Sequence, residues 1–355
     1  MVLEYAGDAF HGFQAQRRQE RLPTVQETVE KAIGELTGER VRVTGAGRTD
    51  AGVHALGQVI GFSTRARIPS ERWPAALNSK LPPEVRAWQA FRVAPGFDAR
   101  RHARRKLYRY RFYLSPVVSA MASRQAVAVR PPLDVQAMIR AASLFEGEHD
   151  LRAFCGAAGA ERIARREQSL EQGDGGRGFR RRIYRCRLLP DGVGGMWPGW
   201  SKGSSRVLSQ SVIGAGMPLR LWPPGFMEVT GEERGSQAGE MLYALTPLGR
   251  VPLLPQDRQE TDGTVDAYCD AHNAPAQAGC AWSLWVEADG FLYHQIRTMV
   301  GTLWEIGRGE RSIDSLMQLL EGKDRSEAGP TAPAHGLYLV AVAYPGWSLG
   351  IQGCE

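Results

Sequence analysis

An aspartate set among glycines is the residue of this chain best placed to do chemistry. Asp50 lies in GAGRTDAGVHA (residues 45–55), two residues after Arg48 and four before His54. Flanking glycines let a backbone pass close to a bound ligand, and a carboxylate there can attack a substrate or take a proton from it. A turn aspartate that bonds its own backbone has the same local sequence, so the loop alone leaves both readings open. The second candidate is the run KLYRYRFYL (residues 106–114), in which Tyr108, Tyr110 and Phe112 alternate with Arg109 and Arg111. On a strand that alternation puts rings on one face and guanidinium groups on the other. Rings stack on unpaired bases for roughly 1–3 kcal/mol per base, and cations attract phosphates. Arg100, Arg101, Arg104, Arg105, Lys106, Arg109 and Arg111 all fall within residues 100–111 with no acid among them, which favours RNA over a merely solvated strand. The third candidate is Arg297 in GFLYHQIRTMVGTLWEIG (residues 290–307). A cation on so apolar a helix needs a partner if it is buried, and a carboxylate is the natural one; on the surface it would need none.

The elements that position these residues can be read from periodicity and punctuation. Residues 2–5 suit a short strand. Thr24 and Glu27 have capping-box spacing, and Val25, Val29, Ile33 and Leu36 share one face of the helix that follows. Residues 41–44 read as a strand broken by Gly45-Ala46-Gly47, so Asp50 sits on a loop at a strand end, before a strand over 58–62. A short helix after Ser70, strands near 85–91 and over 106–114, and a helix over 134–145 complete the first half. The second half repeats the grammar with a strand over 282–287, helices over 291–306 and 313–320, and a strand over 336–344. Strands alternating with helices, twice over, predict an α+β fold of two halves side by side, with a cleft between them as the site. The expected organisation is an N-terminal half (1–155), a basic linker and strand (156–189), a low-complexity insertion that is mostly loop or disordered (190–279), a C-terminal half (280–347) and a tail (348–355).

Composition narrows the class. A chain of 355 residues, 43% hydrophobic and 23% charged, can bury a full core. No segment approaches the roughly 20 apolar residues of a membrane helix, and no basic leader or apolar signal core follows Met1. The expected compartment is the cytoplasm, an organelle being the alternative. The five cysteines are scattered without metal-ligand spacing, so free thiols and no metal site are expected.

Seven runs carry a resemblance. Tyr5-Ala6-Gly7 with Gly12-Phe13-Gln14, Thr24-Val25-Gln26-Glu27, GAGRTDAGVHA, FDARRHARRKLYRY (97–110), Gly147-Glu148-His149-Asp150, residues 290–307 and LYLVAVAYP (337–345) are similar, in the same order, to those of the TruA family of tRNA pseudouridine synthases. The resemblance covers nearly all of residues 1–155 and 281–345. It implies two similar α+β halves forming one continuous, mostly antiparallel sheet flanked by helices, with a central active-site cleft. It also implies isomerisation of uridine to pseudouridine in the anticodon stem and loop of tRNA, without metal or organic cofactor, by a homodimer with tRNA crossing both subunits. Carried over residue by residue, Asp50 would be the nucleophile, Tyr108 would stack on the target base, and Arg297 would pair with the aspartate. Arg48 would help hold the tRNA with its base flipped out, and Arg104, Arg105, Arg109 and Arg111 would bind the RNA.

Three departures accompany these matches. Leu151 stands where the family carries phenylalanine, the long insertion separates the strand at RIYRCR (182–187) from the one after it, and the N-terminal strand is short for the family, as if the native start lay upstream. Two other readings therefore stand beside the synthase: a tRNA-binding protein of the same fold without activity, and a different base- or sugar-modifying enzyme such as a nucleoside hydrolase.

Overall fold

Alternating strands, capped helices and one nearly all-apolar helix organise the residues that the computed structural model describes, which are 1–15, 22–169, 178–191, 242–246, 249–252 and 281–349. In chain order the strands and helices are β1 (Val2–Tyr5), α1 (Val25–Thr37), β2 (Thr44–Gly45), β3 (His54–Gly61), α2 (Trp73–Asn78), β4 (Val85–Gln89), β5 (Arg105–Leu114), β6 (Val127–Val129), α3 (Val135–Ser143), β7 (Gly147–Asp150), α4 (Ala157–Ser169), β8 (Arg180–Pro190), β9 (Leu242–Thr246), β10 (Gly249–Pro252), β11 (Ala281–Ala288), α5 (Gln295–Gly307), α6 (Ile313–Leu319) and β12 (Leu337–Pro345). Among them no helix is long and apolar enough to cross a membrane.

The strands form one mixed sheet in the order β4-β1-β3-β12-β5-β11-β8-β7. Only β12 beside β3 and β6 beside β5 run parallel, so the sheet is mostly antiparallel. The last strand, β12, is inserted between β3 and β5 from the first third of the chain. That interleaving lines up Ala55, Leu339, Tyr108 and Val286 across four neighbouring strands and brings the Asp50 loop next to Tyr108. β5 has buried residues on both faces. Trp304 of α5 packs edge-on against Tyr110 and Phe112, while Leu107 joins Trp285, Tyr338 and Val340 in a smaller cluster on the other face.

The helices form for local reasons. Thr24 and Glu27 close a capping box on α1, and Gly38 ends it in the left-handed conformation at φ 75°. The Asp134 side chain caps α3 by accepting from Ala137 N at 2.9 Å. In α5 nearly every residue is buried, and at Gly301 a Cβ would lie 1.8 Å from Pro330 O, so only glycine lets that segment cross the helix.

Four expectations are corrected. Residues 41–43 are not a strand, because Val43 N donates to Glu30 Oε1 (2.9 Å) and Val43 O accepts from Gln26 Nε2 (3.2 Å); side chains of α1 take the place of a strand partner. Residues 291–294 precede α5 as a turn in which Leu292 N donates to Gln295 Oε1 at 2.8 Å. The glycine- and arginine-rich stretch after Gly156 begins with the helix α4. Within the segment expected to be loop, β9 pairs with the end of β12 (Val342↔Leu245 to Pro345↔Leu242) and β10 pairs with β9. There β12 has outrun its pairing with β3, and β9 covers an edge that would otherwise stay open. Apart from residues 190 and 191, the rest of that segment lies outside the described residues.

Candidate active site

Asp50 is carried by the loop of residues 46–53 between β2 and β3, and side chains from three directions fix that loop. Tyr5 Oη bonds Thr49 Oγ1 at 2.7 Å, Gln58 Nε2 donates to Gly47 O at 2.9 Å, and Gly7 N donates to His54 Nδ1 at 3.0 Å. Burial pushes the Tyr5 phenol up to about 12, so it stays a neutral hydrogen-bonding post. Phe13 N donates to Thr49 O at 3.1 Å. A Cβ at Gly7 would lie 2.0 Å from Val53 O, and one at Gly12 (φ 79°) would lie 2.8 Å from Thr49 O. Gly7 and Gly12 of the first sequence run thus let that segment press directly against the aspartate loop.

Opposite the loop stands the start of α5. Arg297 Nη1 reaches Asp50 Oδ2 at 3.2 Å while its Nε donates to Ala332 O at 2.7 Å, so the guanidinium is held at one end and offered at the other. His294 Nε2 lies 3.4 Å from the same carboxylate oxygen.

A cavity of about 1370 Å³ opens over this pair, lined by Asp50, Arg297 and His294 together with Tyr108, Phe291 and Tyr293. Its walls also carry Arg48, Arg100, Lys106, Arg162 and Arg181, a concentration of positive charge suited to a polyanion. Tyr108 is 7% exposed, and its ring packs edge-on against Phe291, centroids 4.9 Å apart. Burial, with Tyr5 and Asp50 nearby, raises its phenol well above the ordinary value, so the hydroxyl is neutral. Lys106, two residues earlier on the same face of β5, is lowered to about 8 by burial and by repulsion from Arg100 and Arg181, against the attraction of Asp289. Arg48 is exposed at the rim, its Nε donating to Gln14 Oε1 at 3.1 Å.

The structure brings Asp50, Arg297, Tyr108 and Arg48 together and separates them from the other arginines. Arg105 is 4% exposed and forms a buried ion pair with Glu287 at 3.0 Å. Arg109 and Arg111 both bind Asp191 and line a second cavity, on the face of β5 opposite Tyr108. These three arginines therefore stand outside the Asp50 cleft, each paired with a carboxylate, and Asp191 comes from the first residues of the segment read as an insertion. Arg104 is exposed, with its backbone N–H bonded to Ala343 O, and does not line the cleft. Sequence reasoning passed over His294, Arg162 and Arg181, and took Lys106 only as one of the basic run. His294 precedes the helix on a left-handed backbone, so helical spacing from Arg297 could not have found it.

A carboxylate clamped by a guanidinium, in a cationic cleft walled by aromatic rings and borne on a mostly antiparallel α+β sheet, suits an enzyme that works on a polynucleotide. The chain belongs to the family of tRNA pseudouridine synthases: that family's sequence model matches residues 1–100 and 256–345. It is 36% identical to tRNA pseudouridine synthase A of Moorella thermoacetica over 97% of this chain and 98% of the relative. With the enzymes of the same name from Acetivibrio thermocellus and Syntrophomonas wolfei it shares 31% and 30% identity, over 97% of this chain and 98% and 96% of theirs.

Proposed function

We propose that this protein isomerises uridine to pseudouridine in the anticodon stem and loop of tRNA, with Asp50 as the catalytic carboxylate. The observation that carries the reading is the meeting of Asp50 and Arg297, 247 residues apart in the chain, at the base of the cationic cleft. The reaction breaks the bond from ribose C1′ to uracil N1, turns the freed base, and joins C1′ to C5. The hydrogen on C5 leaves as a proton, and N1 gains one. Arg297 orients the carboxylate at 3.2 Å, which can attack the ribose or assist its deprotonation. Tyr108 offers its ring to the target base, and stacking offsets the few kcal/mol of flipping that base from its helix. Arg48 at the rim, with Lys106, Arg100, Arg162 and Arg181, meets the phosphates on either side.

The assembly proposed is a cytoplasmic homodimer with one tRNA crossing both subunits; light scattering on the purified protein alone and with tRNA tests it, and a monomer in both would contradict it. The reaction is tested by incubating the protein with a tRNA transcript and mapping carbodiimide adducts of pseudouridine by primer extension. Stops confined to the anticodon stem and loop are expected. Free uracil in the supernatant would favour a nucleoside hydrolase, and tight binding without any product would favour an inactive RNA-binding protein.

A further inference from the structure

Among the described residues His294 alone, glycine aside, has a left-handed backbone, at φ 63° and ψ 0°. It occupies the N-cap of α5, yet its side chain makes no capping hydrogen bond; serine, threonine, aspartate or asparagine would serve that position better. Neither the conformation nor the cap accounts for a histidine here. The direction of its ring does. Nε2 lies 3.4 Å from Asp50 Oδ2, the oxygen that Arg297 Nη1 reaches at 3.2 Å, and among the described residues no side chain bonds Oδ1.

Such a backbone persists only where its surroundings hold it, and three features do so. The Tyr293 ring stacks on the imidazole, centroids 3.8 Å apart and planes at 23°. Gly156 N donates to Tyr293 O at 2.8 Å, and a Cβ on Gly156 would lie 2.9 Å from both His294 Nδ1 and Tyr293 Cδ1. From α4, Arg162 covers the Tyr293 ring at 5.3 Å.

We propose that His294 is a positioning residue: with Arg297 it pins Oδ2 of Asp50 and leaves Oδ1 as the oxygen presented to the target nucleotide. This rests on the reading of Asp50 as the catalytic carboxylate. A carboxylate only accepts, so a hydrogen bond closing this 3.4 Å contact takes its hydrogen from Nε2. Contacts of this length are usual in unliganded sites and tighten when substrate binds. The charged groups around the ring are Asp50 on its loop, Arg297 on α5, Arg325, and Arg162 beyond Tyr293. Burial lowers the imidazole below its ordinary pKa, Asp50 opposes this, and Arg297 and Arg325 add to the lowering. The ring is therefore neutral at pH 7 and steers the carboxylate without adding a second cation beside Arg297.

Two variants separate positioning from a structural role. His294→Gly removes the ring and relieves the left-handed strain, and His294→Asn suits that backbone but is too short to reach Asp50. Expected for both is a fall in kcat of about 10²-fold with KM for tRNA within about twofold of the parent and no loss of thermal stability. A His294→Gly enzyme that keeps its kcat, or one in which KM alone rises, would overturn the proposal. A second readout needs no turnover: nitrogen-15 spectra of the imidazole are titrated in the parent and in Asp50→Asn. Loss of the aspartate's charge should move the His294 titration to lower pH, and an unchanged titration would also overturn it. If the parent makes no pseudouridine, the functional reading fails, and the imidazole titration alone then decides the role of His294.

Discussion

At the scale of single residues the site depends on two-point attachments. Arg297 bonds Ala332 O through Nε and Asp50 through Nη1, which lysine cannot reproduce with one ammonium. Arg297→Lys should therefore lower kcat by about 10²-fold while tRNA binding by filter retention stays near the parent's; an equal loss of binding would make Arg297 an RNA contact. Tyr108→Ala should cost roughly 1–3 kcal/mol in kcat/KM, the worth of one stacked base, whereas Tyr108→Phe keeps the ring and that share of the energy. Asp50, Tyr108 and Arg297 were legible in the sequence because each stands in a run whose residue types already imply its environment. His294 was not, because its importance rests on a left-handed backbone and on a contact with a distant loop. The surroundings of Arg105, Arg109 and Arg111 were not legible for a related reason. Alternation shows that the guanidinium groups leave the aromatic face, but not that the aromatic face is the one lining the cleft, nor that Glu287 and Asp191 await them.

At the scale of elements, what could be read early was whatever closes on itself locally. The capping box of α1, the helix beginning near Asp134 and the alternation of β5 all use neighbours in sequence, and each appears within a residue or two of its expected bounds. What escaped was settled by side-chain bonds or distant partners that periodicity does not show: Val43 taken by side chains of α1, β9 drawn to the open end of β12, and α5 starting only at Gln295. Gly301 tests how tightly α5 is placed. Gly301→Ala would set a Cβ against Pro330 O, in a segment whose neighbours Ala332 and Pro333 hold Arg297 and the Tyr110 hydroxyl. It should destabilise the protein by roughly 1–3 kcal/mol in urea unfolding and reduce activity further at temperatures where the fold is intact. Full stability together with full activity would mean that the crossing is looser than described.

At the scale of the molecule, interleaving of the first and last strands joins a loop from residue 50 to a helix start near residue 295, and the charge is distributed to match. The cleft holds Arg48, Arg100, Lys106, Arg162 and Arg181, while the arginines on the opposite face of β5 are neutralised. Arg162→Ala should therefore reduce the slope of log affinity for tRNA against log salt by about one, and Arg109→Met should leave that slope unchanged. Equal effects from the two would place RNA on both faces. Lys106, lowered to about 8, is charged below that pH and loses its proton above it. Affinity for tRNA should accordingly weaken between pH 7 and 9, and Lys106→Met should flatten the change.

The central claim is that Asp50 drives the rejoining of ribose to C5 of uracil, and the most direct measurement is release of tritium from tRNA labelled at uracil C5. The parent protein should release it at the rate at which pseudouridine forms, and Asp50→Asn should bind the same tRNA and release none. Release by Asp50→Asn at the parent's rate would contradict the account, and so would pseudouridine formation in which the label stays in the RNA.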